Sequence, residues 1–194
     1  MPERRGAGIK ASLQPVDKNG VAVSILLQSA VPQGRRDMTE DTLVRDPLTG
    51  LYNRRYVLDE LERYVQLYRR YRHPLSLLLF SFDNLTSVED SCGDVGRDSV
   101  LEYLAELIAM NVRGVDISCR YAEDEFVVIM PATDKRSALT VARRIANLVQ
   151  ESRLKVGEAS VAVKMSFGTA SCPRDGVETE TLLQAARTHK AAWR

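Results

Sequence analysis

Cysteine, histidine and tryptophan are scarce in this 194-residue chain, with three, two and one copies respectively. Cys92, Cys119 and Cys172 lie far apart and share no metal-ligand spacing, so they read as reduced thiols and not as a disulfide framework or a zinc site. His73 and His189 are isolated and read as surface residues. Long apolar runs are missing as well. The longest, Leu75–Phe82, falls far short of the roughly 20 residues that span a bilayer. The start MPERRGAGIK lacks the apolar core of a signal peptide. A cytoplasmic location is therefore expected, with no membrane insertion by this chain and any anchor outside it. A large charge imbalance is also lacking: the formal net charge is +1, which offers no general argument for a nucleic-acid partner. There are no internal repeats or low-complexity tracts.

What is present describes a folded domain. The chain is 44% hydrophobic and 27% charged, enough apolar matter for a core and too much for a disordered chain. Most of its basic residues are arginine, the side chain suited to bidentate contacts with phosphate and guanine. Residues 1–45 differ from the rest. GVAVSILLQSAV reads as a strand and PQGRRDMTEDTLVRD as a polar connector. This region is read as a linker or the tail of an upstream, PAS-like module, and residues 46–194 as the main domain.

Within 46–194 the periodicity changes repeatedly. Val57, Leu58, Leu61, Tyr64, Val65 and Tyr68 have helical spacing. PLSLLLFSF has the continuous apolar pattern of a strand buried on both faces. VGRDSVLEYLAELIAMNV is helical again. ISCRY and EFVVIM read as a hairpin with AED at its turn. DKRSALTVARRIANLVQ is an amphipathic helix capped by its Asp. SVAVKMSFGTAS alternates as a half-buried strand, and ETETLLQAARTHKAAW is a last helix. The order implies an α+β fold, a sheet covered by helices.

Three stretches carry a specific resemblance. DPLTGLYNRR (46–55), RYAEDEF (120–126) and MSFGTAS (165–171) occur in the order found in the GGDEF domain family, and the chain is similar to that family from about Arg45 onward. The resemblance implies a central, mostly antiparallel five-stranded sheet surrounded by helices, akin to polymerase palm domains. Active members join two GTP molecules into cyclic di-GMP, with carboxylate-held metal ions neutralising charge on the α-phosphate.

Compared position by position, the chain departs from the family pattern. The signature Gly-Gly-Asp/Glu-Glu-Phe reads Ala122, Glu123, Asp124, Glu125, Phe126. Asp124 falls on the metal-binding acid, but both glycines, which let the backbone approach a nucleotide, are replaced. The pattern Asp-x-Asp-x-Phe-Lys-x-x-Asn-Asp reads SFDNLTSVED. Ser81 therefore stands at a direct metal ligand, Leu85 and Thr86 at Phe-Lys, and Glu89 at a guanine-contacting Asn. Asp83 is two residues along the same strand face. Asp98 keeps a guanine-contacting acid, while Arg97 replaces its Gly and Asp94 replaces a His. A hydroxyl is a poor Mg²⁺ ligand beside a carboxylate. The family's phosphate-binding Lys and Arg are not matched by a complete pattern in AARTHKAAWR, where Lys190 or Arg194 could stand in without further support. Arg54 and Arg55 read as helix-start residues. The expectation is a vestigial nucleotide site at Ser81, Asp83, Glu89, Asp98 and Asp124, with no metal, no cofactor and no enzymatic activity.

Upstream lies RGVD, with Arg113 and Asp116. Five residues separate it from Ala122, the offset of the family's Arg-x-x-Asp inhibitory site for cyclic di-GMP. Arg113 has the fork to grip a guanine edge or phosphate, and Asp116 accepts from guanine N–H groups. Arg144, then Arg143, are the candidates for a further arginine from the next helix. A surface ion pair is the plain alternative. The implied function is a receptor or regulatory module for cyclic di-GMP, attached to a signalling domain or protein partner, with a homodimer as one further form. The alternatives are a nucleotide-free interaction module and an active diguanylate cyclase.

Overall fold

The computed structural model describes residues 15–16, 43–156 and 159–192. The strand expected at GVAVSILLQSAV and the side chain of Arg194 lie outside these residues. Arrangement follows from side-chain alternation. Strand β3 (Leu75–Phe82) is buried at all eight positions. Leu78, Phe80 and Phe82 join one apolar cluster, and Leu75, Leu77 and Leu79 join a second on the opposite face. A strand read as apolar throughout thus serves two cores, because successive side chains point to opposite sides of a sheet.

The strands flanking β3 complete the sheet. They are β2 (Tyr52–Asn53), β4 (Ile117–Arg120), β5 (Glu125–Pro131), β8 (Met165–Cys172) and β9 (Ala191–Ala192), in the order β2-β4-β5-β3-β8-β9. All pairings are antiparallel except β2 with β4. The α+β class and the mostly antiparallel sheet agree with expectation, and the two-residue β9 adds a sixth strand to the five expected. A second sheet joins β1 (Pro15–Val16), β6 (Arg153–Val156) and β7 (Ala159–Val161), all antiparallel.

Four helices cover the main sheet: α1 (Arg54–Tyr71), α2 (Leu85–Met110), α3 (Lys135–Glu151) and α4 (Thr179–Thr188). Val57 and Leu61 of α1 pack with Leu182 and Leu183 of α4 on one face, and Leu101 of α2 with Ile145 of α3 on the other. Asn53 caps α1 by accepting from the Tyr56 amide, and Asp134 caps α3 by accepting from the Ser137 amide. None of the described helices is long and apolar enough to cross a membrane.

Three expectations need correction. Helix α2 begins ten residues before the periodic stretch at Val95, and it breaks at Gly93 (φ 69°, ψ 177°), a conformation reserved for glycine. The stretch 159–172 is two strands, and β8 is buried on both faces because α3 lies against one side and α4 against the other. The last helix stops at Thr188, after which Ala191–Ala192 returns to the sheet edge.

Candidate functional site

The end of β3 and the start of β5 meet in register, Ser81 opposite Glu125 and Phe80 opposite Phe126. The hairpin turn closes through Tyr121 and Ala122 amides donating to the Glu125 carbonyl, at 2.8 and 3.1 Å. The Phe82 amide donates to the Asp124 carbonyl at 3.0 Å, stitching the turn to the central strand. Arg120 supports it from below. Its guanidinium donates to Asp46 Oδ1 (3.3 Å) and to the Glu123 carbonyl (3.2 Å). Asp46 also accepts from the Thr49 amide and hydroxyl. Burial alone would raise the Asp46 carboxyl. The Thr49 hydrogen bonds and Arg120 outweigh it and hold the group below the ordinary aspartate range. The DPLTG motif is therefore the clamp on the signature turn, a role its residues alone did not signal.

A cavity of about 220 Å³ opens beside the turn, with Asp83, Glu89, Arg97, Glu123 and Asp124 in its wall. Arg97 donates to Glu123 Oε1 at 2.6 Å and lies 3.6 Å from a Glu89 carboxylate oxygen. Glu89, Arg97 and Glu123, three departures from the family pattern, are thus one ion-paired trio. The charge of Glu123, unfavourable when read alone, has its counter-ion on α2. Asp98, the next residue, is half-buried and does not line the cavity.

The donors around Asp124 do not fit a carboxylate-held pair of metal ions. Ser81 presents a hydroxyl that already accepts from the Lys190 ammonium at 3.0 Å. Asp83 sits just past the end of β3 and accepts from the Ser166 hydroxyl at 2.9 Å. Among the described residues no group of three or more His, Cys, Asp or Glu side chains is arranged for a metal ion. Glu125 pairs with Arg187 of α4 at 2.9 Å, so α4 and the segment that follows it bring two cations, Arg187 and Lys190, to this end of the sheet. Arg187 was not singled out in the sequence, because its position carries no motif.

Arg113 and Asp116 form a turn between α2 and β4. The Arg113 amide donates to Asp116 Oδ2 (2.8 Å), and the Asp116 amide to the Arg113 carbonyl (2.9 Å). This is backbone capping and not the surface ion pair of the plain alternative. The guanidinium of Arg113 is left outside that arrangement, on an exposed residue. Asp116 Oδ1 is buried and has no hydrogen-bond partner. Burial raises the Asp116 carboxyl above its ordinary value, opposed by the Arg113 amide and charge. Ser118, two residues along, also has a buried hydroxyl without a partner, and nothing in its sequence context marked it. Arg144 reaches across from α3 to donate to the Asn111 carbonyl, beside the same turn. Arg143 is exposed on α3.

Of the remaining candidates, Cys119 and Cys172 are buried and all three cysteines are free thiols. Burial pushes the Cys172 thiol up to about 11, consistent with an inert structural role.

Comparison with known proteins bears on this arrangement. Residues 43–192 match the family described as "Diguanylate cyclase, GGDEF domain". The chain is 39% identical over 153 residues to "Response regulator PleD" of Caulobacter vibrioides, covering 77% of this chain and 34% of that protein. It is 30% identical over 126 residues to "Diguanylate cyclase DosC" of Escherichia coli, covering 64% of this chain and 27% of that protein. The chain thus spans about a third of the length of these curated relatives. Its fold matches the GGDEF domain of DgcB from Caulobacter crescentus, solved in complex with c-di-GMP, with a TM-score of 0.70 at 24% identity over 80% of this chain and 89% of that one. The expectation that the chain is not an enzyme is corrected here, since the matching family and a named relative are diguanylate cyclases. The chain belongs to the GGDEF domain family of diguanylate cyclases.

Proposed function

We propose that this chain is a regulatory GGDEF domain of cyclic di-GMP signalling and that it binds cyclic di-GMP at Arg113, Asp116 and Arg144, with Arg143 at the margin. The observation that carries this reading is the buried, unpartnered Asp116 Oδ1 beside the exposed Arg113. A buried acceptor without a donor costs on the order of 1–3 kcal/mol, and a guanine N–H edge is a donor that relieves that cost. The Arg113 and Arg144 guanidiniums flank the turn and suit the phosphates or the guanine acceptor edge. The c-di-GMP complex of the DgcB GGDEF domain, a structural neighbour, supports the ligand class. Residues 1–45 are then the connection to an attached signalling module, and a cytoplasmic setting suits a second-messenger receptor.

Calorimetry with cyclic di-GMP tests this. The unsubstituted chain binds, and Arg113→Ala weakens binding about tenfold or more, the loss of one charge-assisted contact of roughly 1.5–3 kcal/mol. Equal affinity in both proteins discards the proposal. A second reading, GTP turnover by the family's reaction, is favoured by Asp124, which keeps the acid of the signature turn. Its check is cyclic di-GMP formation from GTP.

A further inference from the structure

The end of the sheet remote from Ser81 carries a second concavity. It lies where the last turns of α1 meet the start of β3 and the end of β5, and it measures about 190 Å³. Tyr64, Leu67, Tyr68, Tyr71, Pro74 and Pro131 wall it, so its lining is almost wholly apolar. That volume is below the roughly 300–1,000 Å³ of small-molecule pockets and suits one large side chain. Leu67 is 37% and Tyr71 52% exposed, so the apolar surface continues out onto the rim.

The rim is basic. Arg70 lies over the Tyr71 ring at 5.1 Å and Arg72 over the Tyr68 ring at 5.6 Å. Among the described residues neither has a carboxylate within ion-pair distance, whereas Arg63 and Arg69 on the same helix do. Arginine in a last helical turn complements the helix dipole, which accounts for Arg70. It does not account for Arg72, which lies beyond the helix in a left-handed conformation (φ 60°) where glycine is at ease. Ala132, on the opposite wall, has φ 50°. These are the two positive-φ residues other than glycine among the described residues, and both border this cleft. Such conformations are strained for residues with a side chain and gather at functional sites.

We infer that this cleft is a docking site for an extended segment of a partner protein, one that inserts a leucine or aromatic anchor between the tyrosines and lays flanking aspartate or glutamate on Arg70 and Arg72. Charge complementarity selects an acidic partner, and the single-residue volume selects one anchor. The signature-turn groups lie at the Ser81 end of β3, remote from the cleft, and the Arg113 turn, although at the cleft's end of the sheet, joins α2 and is reached by Arg144 of α3, helices of the face opposite α1.

The probe is a short labelled peptide with Leu-Trp between runs of aspartate, titrated into the full chain and followed by fluorescence anisotropy and amide chemical shifts. A lysine-flanked version of the same peptide is the control. The aspartate peptide binds, added salt weakens it, and the shifts fall at residues 64–75 and 131–132. Tyr71→Ala and Arg70→Glu each weaken it about tenfold, with unchanged melting temperature and unchanged cyclic di-GMP binding. Equal binding of both peptides, binding of neither, or shifts centred on Arg97 and Asp124 overturns the inference.

Discussion

At the scale of single residues, the clearest finding is that substitutions in this family member are coupled. Glu123 crowds the place of a glycine, and Arg97 occupies the place of another, yet the two make a 2.6 Å ion pair. Single-position comparison misses this because the partners are 26 residues apart and meet only when α2 packs beside the hairpin. The pairing also ties the cavity's polarity to three residues at once. Replacing Glu123→Gly together with Ser81→Asp restores a backbone approach and a strand-end carboxylate. GTP turnover to cyclic di-GMP is expected to rise at least about tenfold over the unsubstituted chain, since such electrostatic groups are commonly worth more than that. No change in rate would show that these positions do not limit the site. Asp46 makes a different prediction. Its folded pKa is depressed, so its stabilising contribution is in place above the ordinary aspartate value and is lost as pH falls through the lowered one. Arg120→Ala removes the charge that helps hold it down, and is expected to cost about 1–3 kcal/mol at neutral pH and less in acid. Thermal melts at the two pH values decide this, and a pH-independent loss would contradict it.

At the scale of elements, burial patterns were readable and breaks were not. β3 declared itself because eight successive buried positions need an unbroken apolar run. Asp134 announced α3 through its cap. The early part of α2 was hidden because Ser, Glu, Asp and Gly dominate 87–94, and its helicity depends on packing of Leu85 and Val88 against the sheet. The two-residue edge strands β2 and β9 carry too few residues for any period to show. One packing contact links an element directly to the site. A Cβ at Gly168 would fall 1.9 Å from the Ala186 carbonyl, so α4 rests on β8 only because that residue has no side chain. Gly168→Ala is expected to push α4 outward at a cost of about 1–3 kcal/mol or more, carrying Arg187 and Lys190 away from Glu125 and Ser81. A lowered melting temperature with altered amide signals at both ends of that contact is the expected result, and a melt unchanged within error would refute the packing argument.

At the scale of the whole molecule, the sheet separates three surfaces. The Ser81–Asp124 end holds the signature turn and its cavity, while the opposite end holds the Arg113–Asp116 turn beside α2 and α3 and the tyrosine cleft beside α1. The family and its motif positions were legible from DPLTGLYNRR and RYAEDEF, which lie on the clamp and the turn that fix the hairpin. The orphaned Asp116 oxygen and the cleft were not legible, because both arise from burial and from the meeting of distant segments. The central claim, that the Arg113 turn receives cyclic di-GMP, is tested most directly by a structure of the chain with that dinucleotide. Density is expected against Arg113 and Arg144, with a guanine N–H donating to Asp116 Oδ1. Dinucleotide bound elsewhere, with Asp116 Oδ1 still unpartnered, would contradict it.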